Sequence, residues 1–241
     1  MSAADVAEGS VLQELVIANR ILAHEGVLDA FGHVSIRHPD NPDHYLIARS
    51  LGPELVTQTD LQRFTLDGAQ VGGDSRPAYA ERAIHSAIYE ARPDVVAVCH
   101  NHSPSIIPFG VTETPLRPVF HMAGPLGTGA PVWDIADEFG HTDMLVRSAD
   151  QGRSLARTLG SGRVALMRGH GGVIAGGGLR EVVMIAVYME QNARLQMQAQ
   201  ALGQVRYLSD EETRLAGEML LNPLASERAW GCWRARVGFG K

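Results

Sequence analysis

Five ionisable side chains fall at spacings that could bring them to one object. Glu81 and His85 lie four apart in YAERAIHSAIYEARPD, the repeat of one helix face, and His100 and His102 lie two apart in VVAVCHNH, the repeat of one strand face. A helix carboxylate and two strand imidazoles suit zinc and other first-row divalent ions, manganese included. The H-x-H pair is weak by itself, since surface and core histidines two apart are common. His170 in VALMRGHGGVIAGGG is a candidate third imidazole, because glycines on both sides let the backbone come close to whatever the ring touches. The same letters also suit a glycine-rich turn with an incidental histidine. Together Glu81, His100, His102 and His170 form a set of three imidazoles and one carboxylate that leaves positions for water or substrate, a catalytic rather than a structural pattern.

The elements that must position them are legible from periodicity. A helix is expected over residues 80–92, with Ile84 and Ile88 on its packing side, stopped by Pro93-Asp94 before a buried Val-rich strand. Residues 164–167 read as a second buried strand, just before His170. Upstream, residues 11–23 form an amphipathic helix ending near Gly26, and AFGHVSIRHPDNPDHYLIA reads as an antiparallel hairpin with a wide connection. LDG at residues 66–68 is a turn. The Pro- and Gly-rich stretch after His102 is too irregular for long elements, and DMLVRSADQGRSLARTLG reads as a helix ending at Gly160. Residues 179–203 make a long helix, apolar on more than one face, suited to a core and a subunit interface. A helical tail from about residue 204 has a capping-box start at Ser209 to Glu212 and carries Trp230 and Trp233.

Composition sets the outer limits. A chain of 241 residues with 45% hydrophobic content can bury one substantial core, and no linker, repeat or low-complexity tract divides it, so residues 1–241 are expected to form a single domain. A net charge of -6 gives no basic footprint for nucleic acid. Cys99 and Cys232 are too few for a disulfide framework, and Cys99 suits a small core position. The first residues have no basic region ahead of an apolar block and nothing spans a membrane, so a cytoplasmic protein is expected.

Four motifs in order, GHVSIRHP, the Glu81 helix, HNHS and RGHGGV, resemble the class II aldolase/adducin family over residues 12–202. The resemblance implies that His100, His102 and His170 are metal ligands and that Glu81 is a ligand or an acid/base at the metal. It implies one divalent ion per subunit, Mn2+ or Zn2+, with Fe2+ or Co2+ as further candidates. It implies an α/β fold of α+β character, three αβα layers with a central, mainly antiparallel sheet. Family members assemble as ring-shaped tetramers with the site near a subunit boundary, so a homotetramer is expected.

Three departures separate this chain from the phosphosugar members. His33 stands where they have a phosphate-binding asparagine, and is either a hydrogen-bond donor or acid for another substrate, or a packed surface histidine. Arg49-Ser50-Leu51 stands at their Ser/Thr-Gly turn; Arg49 brings a fork matched to carboxylate, although an arginine after a strand is often just exposed. Tyr79-Ala80 replaces a Ser-Ser phosphate cradle, which suits a flat ligand without phosphate. Arg49, Ser50 and Tyr79 are thus the expected substrate contacts, and His121 is a candidate wall or acid, or else a core histidine bonded to backbone. RSLGPELVT, HSPSIIPF and PVFHMAGPLG bring the chain nearest to the family's aromatic hydroxy-carboxylate decarboxylases, whose members act on dihydroxyphthalate-like or hydroxypyridine-dicarboxylate-like compounds. Metal-assisted decarboxylation of a small aromatic carboxylate is the expected activity. An aldolase for a non-phosphorylated hydroxy-acid or aldehyde, and a non-catalytic adducin-head-like module, are the alternatives.

Overall fold

Alternation along short strands decides the layering. A computed structural model of the chain describes residues 3–240, with side chains from residue 10 onward. In chain order it has α1 (Ala3–His24), β1 (His33–Arg37), β2 (His44–Ala48), β3 (Leu61–Thr65), β4 (Gln70–Val71), α2 (Arg82–Ala91), β5 (Ala97–Asn101) and α3 (Ile107–Gly110). Then come β6 (Val132–Trp133), α4 (Ile135–Phe139), α5 (Ala149–Leu159), β7 (Val164–Met167), β8 (Gly171–Gly176), α6 (Leu179–Leu202), α7 (Asp210–Leu220) and α8 (Pro223–Arg234). The strands make one eight-stranded sheet in the order β4-β3-β2-β1-β5-β8-β7-β6, antiparallel throughout except where β6 meets β7.

Each strand divides its side chains between two buried layers, as a period of two requires. Val34, Ile36, Ala97, Cys99 and Ile174 pack with α1, α6 and the tryptophans of α8. Tyr45, Ile47, Val98, Val173 and Ala175 pack with Ile84 and Ile88 of α2 and Leu155 and Leu159 of α5. The expected three-layer arrangement around a mainly antiparallel sheet is therefore what forms, and the face that carries Val98 also carries His100. Trp230, Trp233 and Leu220 lie in the same buried cluster as α1 and α6. No helix among the described residues is long and apolar enough to cross a membrane.

Two boundaries differ from the sequence expectation for reasons that matter at the site. The helix expected from residue 80 begins at Arg82, and Glu81 is its N-cap residue. The helix before Gly160 begins at Ala149, capped by Ser148 with Gln151 returning the bond, rather than at Asp143. Residues 143–147 are drawn away from helix by other bonds: Met144 has φ 70°, its carbonyl accepts from His170, and the Val146 N–H is taken by Glu81. The glycine-rich run after His170 is not a loop but a buried strand paired with both β5 and β7. Gly171 is required there, since a Cβ would lie 2.0 Å from the Asn101 carbonyl oxygen.

Candidate metal centre

The sheet register does the first part of the assembly. His100 is the last residue but one of β5 and pairs with His33 on β1 and with Val173 on β8; His102 follows one residue past the strand, and His170 sits in the β7–β8 turn. His102 Nε2 lies 3.1 Å from His100 Nε2 and 3.1 Å from His170 Nε2. Glu81 Oε2 reaches to 3.5 Å from His100 Nε2 and 3.6 Å from His170 Nε2. One ligand atom from each of these four residues lies within 4.8 Å of every other.

Whether the group fits a cation is decided on the far side of each ring. His100 Nδ1 faces the Gly172 carbonyl at 3.2 Å, and His170 Nδ1 faces the Met144 carbonyl at 3.0 Å. His102 Nδ1 lies 3.1 Å from both Asp29 carboxylate oxygens. Carbonyl and carboxylate oxygens only accept, so each Nδ1 carries the proton and each Nε2 presents a bare lone pair to the centre. Three such lone pairs and a carboxylate oxygen repel one another unless a positive charge lies among them, and the donor set suits a first-row divalent ion.

Glu81 is held for this task. Its Oε1 accepts from the Val146 N–H at 2.9 Å, which aims Oε2 at the imidazoles. Burial pushes its carboxyl up, yet the adjoining His100 and His170 bring the net position far below the usual carboxylate range. Asp29 is similarly fixed: its Oδ1 accepts from the Phe31 and Gly32 N–H groups at 2.9 and 2.8 Å.

A cavity of about 460 Å³ opens onto the cluster. It is lined by Phe31, Tyr79 and Ala80, by Asp143, Met144 and Leu145, and by His33 and Ser50. Tyr79 contributes its ring, centred 4.5 Å from that of His33, while its hydroxyl donates to the Leu51 carbonyl. Arg49 is not on the wall: its Nε donates to Asp60 at 2.7 Å, and Asp60 also accepts from the Thr57 N–H and hydroxyl. His121 is exposed at the start of a 3-10 turn (His121–Leu126) and does not line this cavity. The structure thus gathers Glu81, His100, His102 and His170, places His33, Ser50 and Tyr79 around them, and leaves Arg49 and His121 aside.

His85 was expected to share a face with Glu81, but its ring turns away from the cluster. Its Nε2 lies 2.7 Å from His33 Nδ1 and its Nδ1 2.6 Å from Ser35 Oγ, fully buried. Burial, and then the nearby His100, push its pKa down to about 3 from an ordinary 6.5. An unfolded chain therefore takes up a proton as pH falls through 6.5 while the folded chain does not until about pH 3, so acidification across that window destabilises the fold. The slope is about 1.4 kcal/mol per pH unit for one such group. Urea unfolding of chelator-treated protein at pH 7 and pH 5 should show wild type losing about 2 kcal/mol more than His85→Gln, which cannot titrate. Equal losses would remove His85 from the acid response.

Sequence reasoning missed Asp29, Phe31, Met144 and Val146. Asp29 was findable in LDAFGH, where an Asp three residues before a Gly suits a side-chain-closed turn. The other three act through backbone or bulk and leave no residue-type signal.

The family described as Class II Aldolase and Adducin N-terminal domain matches residues 13–197. The chain is 34% identical to Decarboxylase tropJ of Talaromyces stipitatus, over 91% of each chain. It is 28% identical to 3,4-dihydroxyphthalate decarboxylase of Arthrobacter keyseri, over 79% of each. Among solved structures it is similar to an aldolase II superfamily protein from Pseudomonas syringae (TM-score 0.80, 23% identity, 98% of this chain and 94% of that one). It is also similar to the L-fuculose 1-phosphate aldolase from Glaciozyma antarctica (TM-score 0.79, 24% identity, 98% and 92%).

Proposed function

Since the chain belongs to the class II aldolase and adducin N-terminal domain family and is a lyase of decarboxylase or aldolase type, we propose that it is a divalent-metal-dependent decarboxylase of a hydroxylated aromatic or pyridine dicarboxylate. The observation that carries this reading is the cavity wall. Beside four convergent ligand atoms it presents aromatic and apolar surface, and among the described residues it has no lysine or arginine to receive a phosphate.

His100, His102, His170 and Glu81 would hold the ion, Mn2+ or Zn2+ by donor type. Such an ion supplies a Lewis acid for the electron pair left on the ring when the bond to the departing carboxylate breaks. Phe31 and Tyr79 would give a flat ring aromatic surface to lie against. Glu81 would take up a proton from solvent and hand it to the ring carbon as CO2 departs, so one C–C bond is exchanged for one C–H bond. A cytoplasmic homotetramer belongs to the same reading: Phe31, 73% exposed at the cavity rim in the single chain, is the kind of apolar side chain a neighbouring subunit covers.

The test is CO2 release from a panel of ortho-hydroxy aromatic and pyridine dicarboxylates by metal-reconstituted protein. Aldehyde formed from a non-phosphorylated hydroxy-acid, with no CO2 from any ring substrate, would replace this reading with the aldolase one. Arg49 gives a second measurement. Because Nε is committed to Asp60, Arg49→Lys and Arg49→Ala should each cost about 1 kcal/mol of stability or less, the pair being partly exposed. Turnover should fall by the same factor on a dicarboxylate and on its monocarboxylate analogue. A selectively larger loss on the dicarboxylate would restore the carboxylate clamp expected from sequence.

A further inference from the structure

Behind the cavity, a line of polar side chains runs into the core that the metal cluster does not use. His33 Nδ1 meets His85 Nε2 at 2.7 Å, His85 Nδ1 meets Ser35 Oγ at 2.6 Å, and Ser35 Oγ meets the Tyr89 hydroxyl at 2.8 Å. Tyr89 OH in turn donates to the Val96 carbonyl at 3.4 Å. All four side chains are buried, with relative exposures of 1% or less. They come from β1 and α2, and alternation explains the meeting: Val34 and Ile36 point to the α1/α6 layer, so His33 and Ser35 point to α2.

The direction of these bonds follows from the inner end. A carbonyl oxygen can only accept, so Tyr89 donates to Val96, Ser35 donates to Tyr89, His85 Nδ1–H donates to Ser35, and His33 Nδ1–H donates to His85 Nε2. The opposite direction forfeits the bond to Val96 in a region where every lost bond counts. A neutral imidazole has one proton to place, and His33 Nδ1 and His85 Nε2, 2.7 Å apart, share one between them. With His33 Nδ1 donating inward, Nε2 is the nitrogen left for the cavity that His33 lines, and it is a bare acceptor.

We propose that His85, Ser35 and Tyr89 are positioning residues that fix His33 as its Nδ1–H tautomer, so that His33 Nε2 accepts a hydrogen bond from a ring hydroxyl of the substrate. The proposal rests on the hydroxylated-ring reading above and deepens it: the cavity distinguishes a free hydroxyl from an ether. It also gives His33 an accepting role, not the donor or acid role that sequence left open.

The experiment uses zinc-loaded protein labelled with 15N-histidine. Long-range 15N–1H correlation should show His33 and His85 with protonated Nδ1 and bare Nε2, and calorimetry should show salicylate bound about tenfold tighter than 2-methoxybenzoate. Ser35→Ala, which deprives His85 Nδ1 of its acceptor, should leave both rings as tautomer mixtures and bring that preference close to unity. Ser35→Thr, which keeps the hydroxyl, should restore both readouts. His85→Leu provides a second route to the same loss if Ser35→Ala folds poorly. A protonated His33 Nε2 in the wild type, or a tautomer unmoved by Ser35→Ala and His85→Leu, overturns the positioning chain. Equal binding of the two probes, or none, overturns the hydroxyl contact. If no substrate in the panel releases CO2 while these signatures hold, the decarboxylase reading fails and the tautomer assignment stands.

Discussion

Replacing His100 by alanine should leave a folded protein that no longer retains a divalent cation. His100 is fully buried near the end of β5, its Nδ1 facing the Gly172 carbonyl and its Nε2 3.1 Å from that of His102 and 3.5 Å from Glu81. Losing a second-sphere partner of a ligand already costs about 10- to 100-fold in affinity, so losing the ligand itself should cost about 100-fold or more. Metal analysis after dialysis should find close to one equivalent in wild type and well below that in the variant, with turnover lost in parallel. Deleting the ring also opens a cavity and strips the Gly172 carbonyl of a donor, for about 2–4 kcal/mol of destabilisation. Circular dichroism therefore accompanies the assay, and His141→Ala, at an exposed histidine outside the four-ligand group, is the control expected to keep its metal. Full stoichiometric metal at unchanged affinity in His100→Ala would sink the assignment.

The ligand set was legible because residue type and period both speak for it. A strand period of two put His100 and His102 on one side, and Gly169 and Gly171 around His170 announced a close backbone approach that the 2.0 Å clearance at Gly171 makes concrete. The layers came with the family resemblance, and Val34, Ile36, Val98 and Ile174 show how alternation between two cores builds them. What stayed hidden was partnership between segments far apart in the chain. Arg49 suited a carboxylate by its chemistry, but nothing in RSLGPELVTQTD could say that Asp60, eleven residues on, would take its Nε first. His85 was read with Glu81 because they are four apart, whereas Glu81 lies outside the helix at its cap and His85 follows the strand residues His33 and Ser35 instead. Residues 143–147 have helical letters and no helix, because the backbone there serves His170 and Glu81. Tertiary bonds outweigh propensity at a site, and periodicity does not record them.

Glu81→Gln should be nearly inactive, and its metal-free form should be more stable than metal-free wild type. The side chain keeps its shape, so Oε1 still accepts the Val146 N–H at 2.9 Å. The amide nitrogen then replaces Oε2 and directs N–H donors at His100 Nε2 and His170 Nε2, 3.5 and 3.6 Å away in the wild type. Four acceptors facing one another become two acceptor–donor contacts, worth about 1 kcal/mol each at most. At pH 8, chelator-treated Glu81→Gln should therefore melt above chelator-treated wild type. Adding Mn2+ or Zn2+ should reverse the order, since the wild-type carboxylate brings a negative charge to the ion and the amide competes with it for the same lone pairs. Removing a proton carrier typically costs about 100- to 10,000-fold in rate, and turnover at saturating metal should fall within that span. A variant that turns over at near-normal rate would take the proton from some other group, and Glu81 would then be a spacer between the imidazoles.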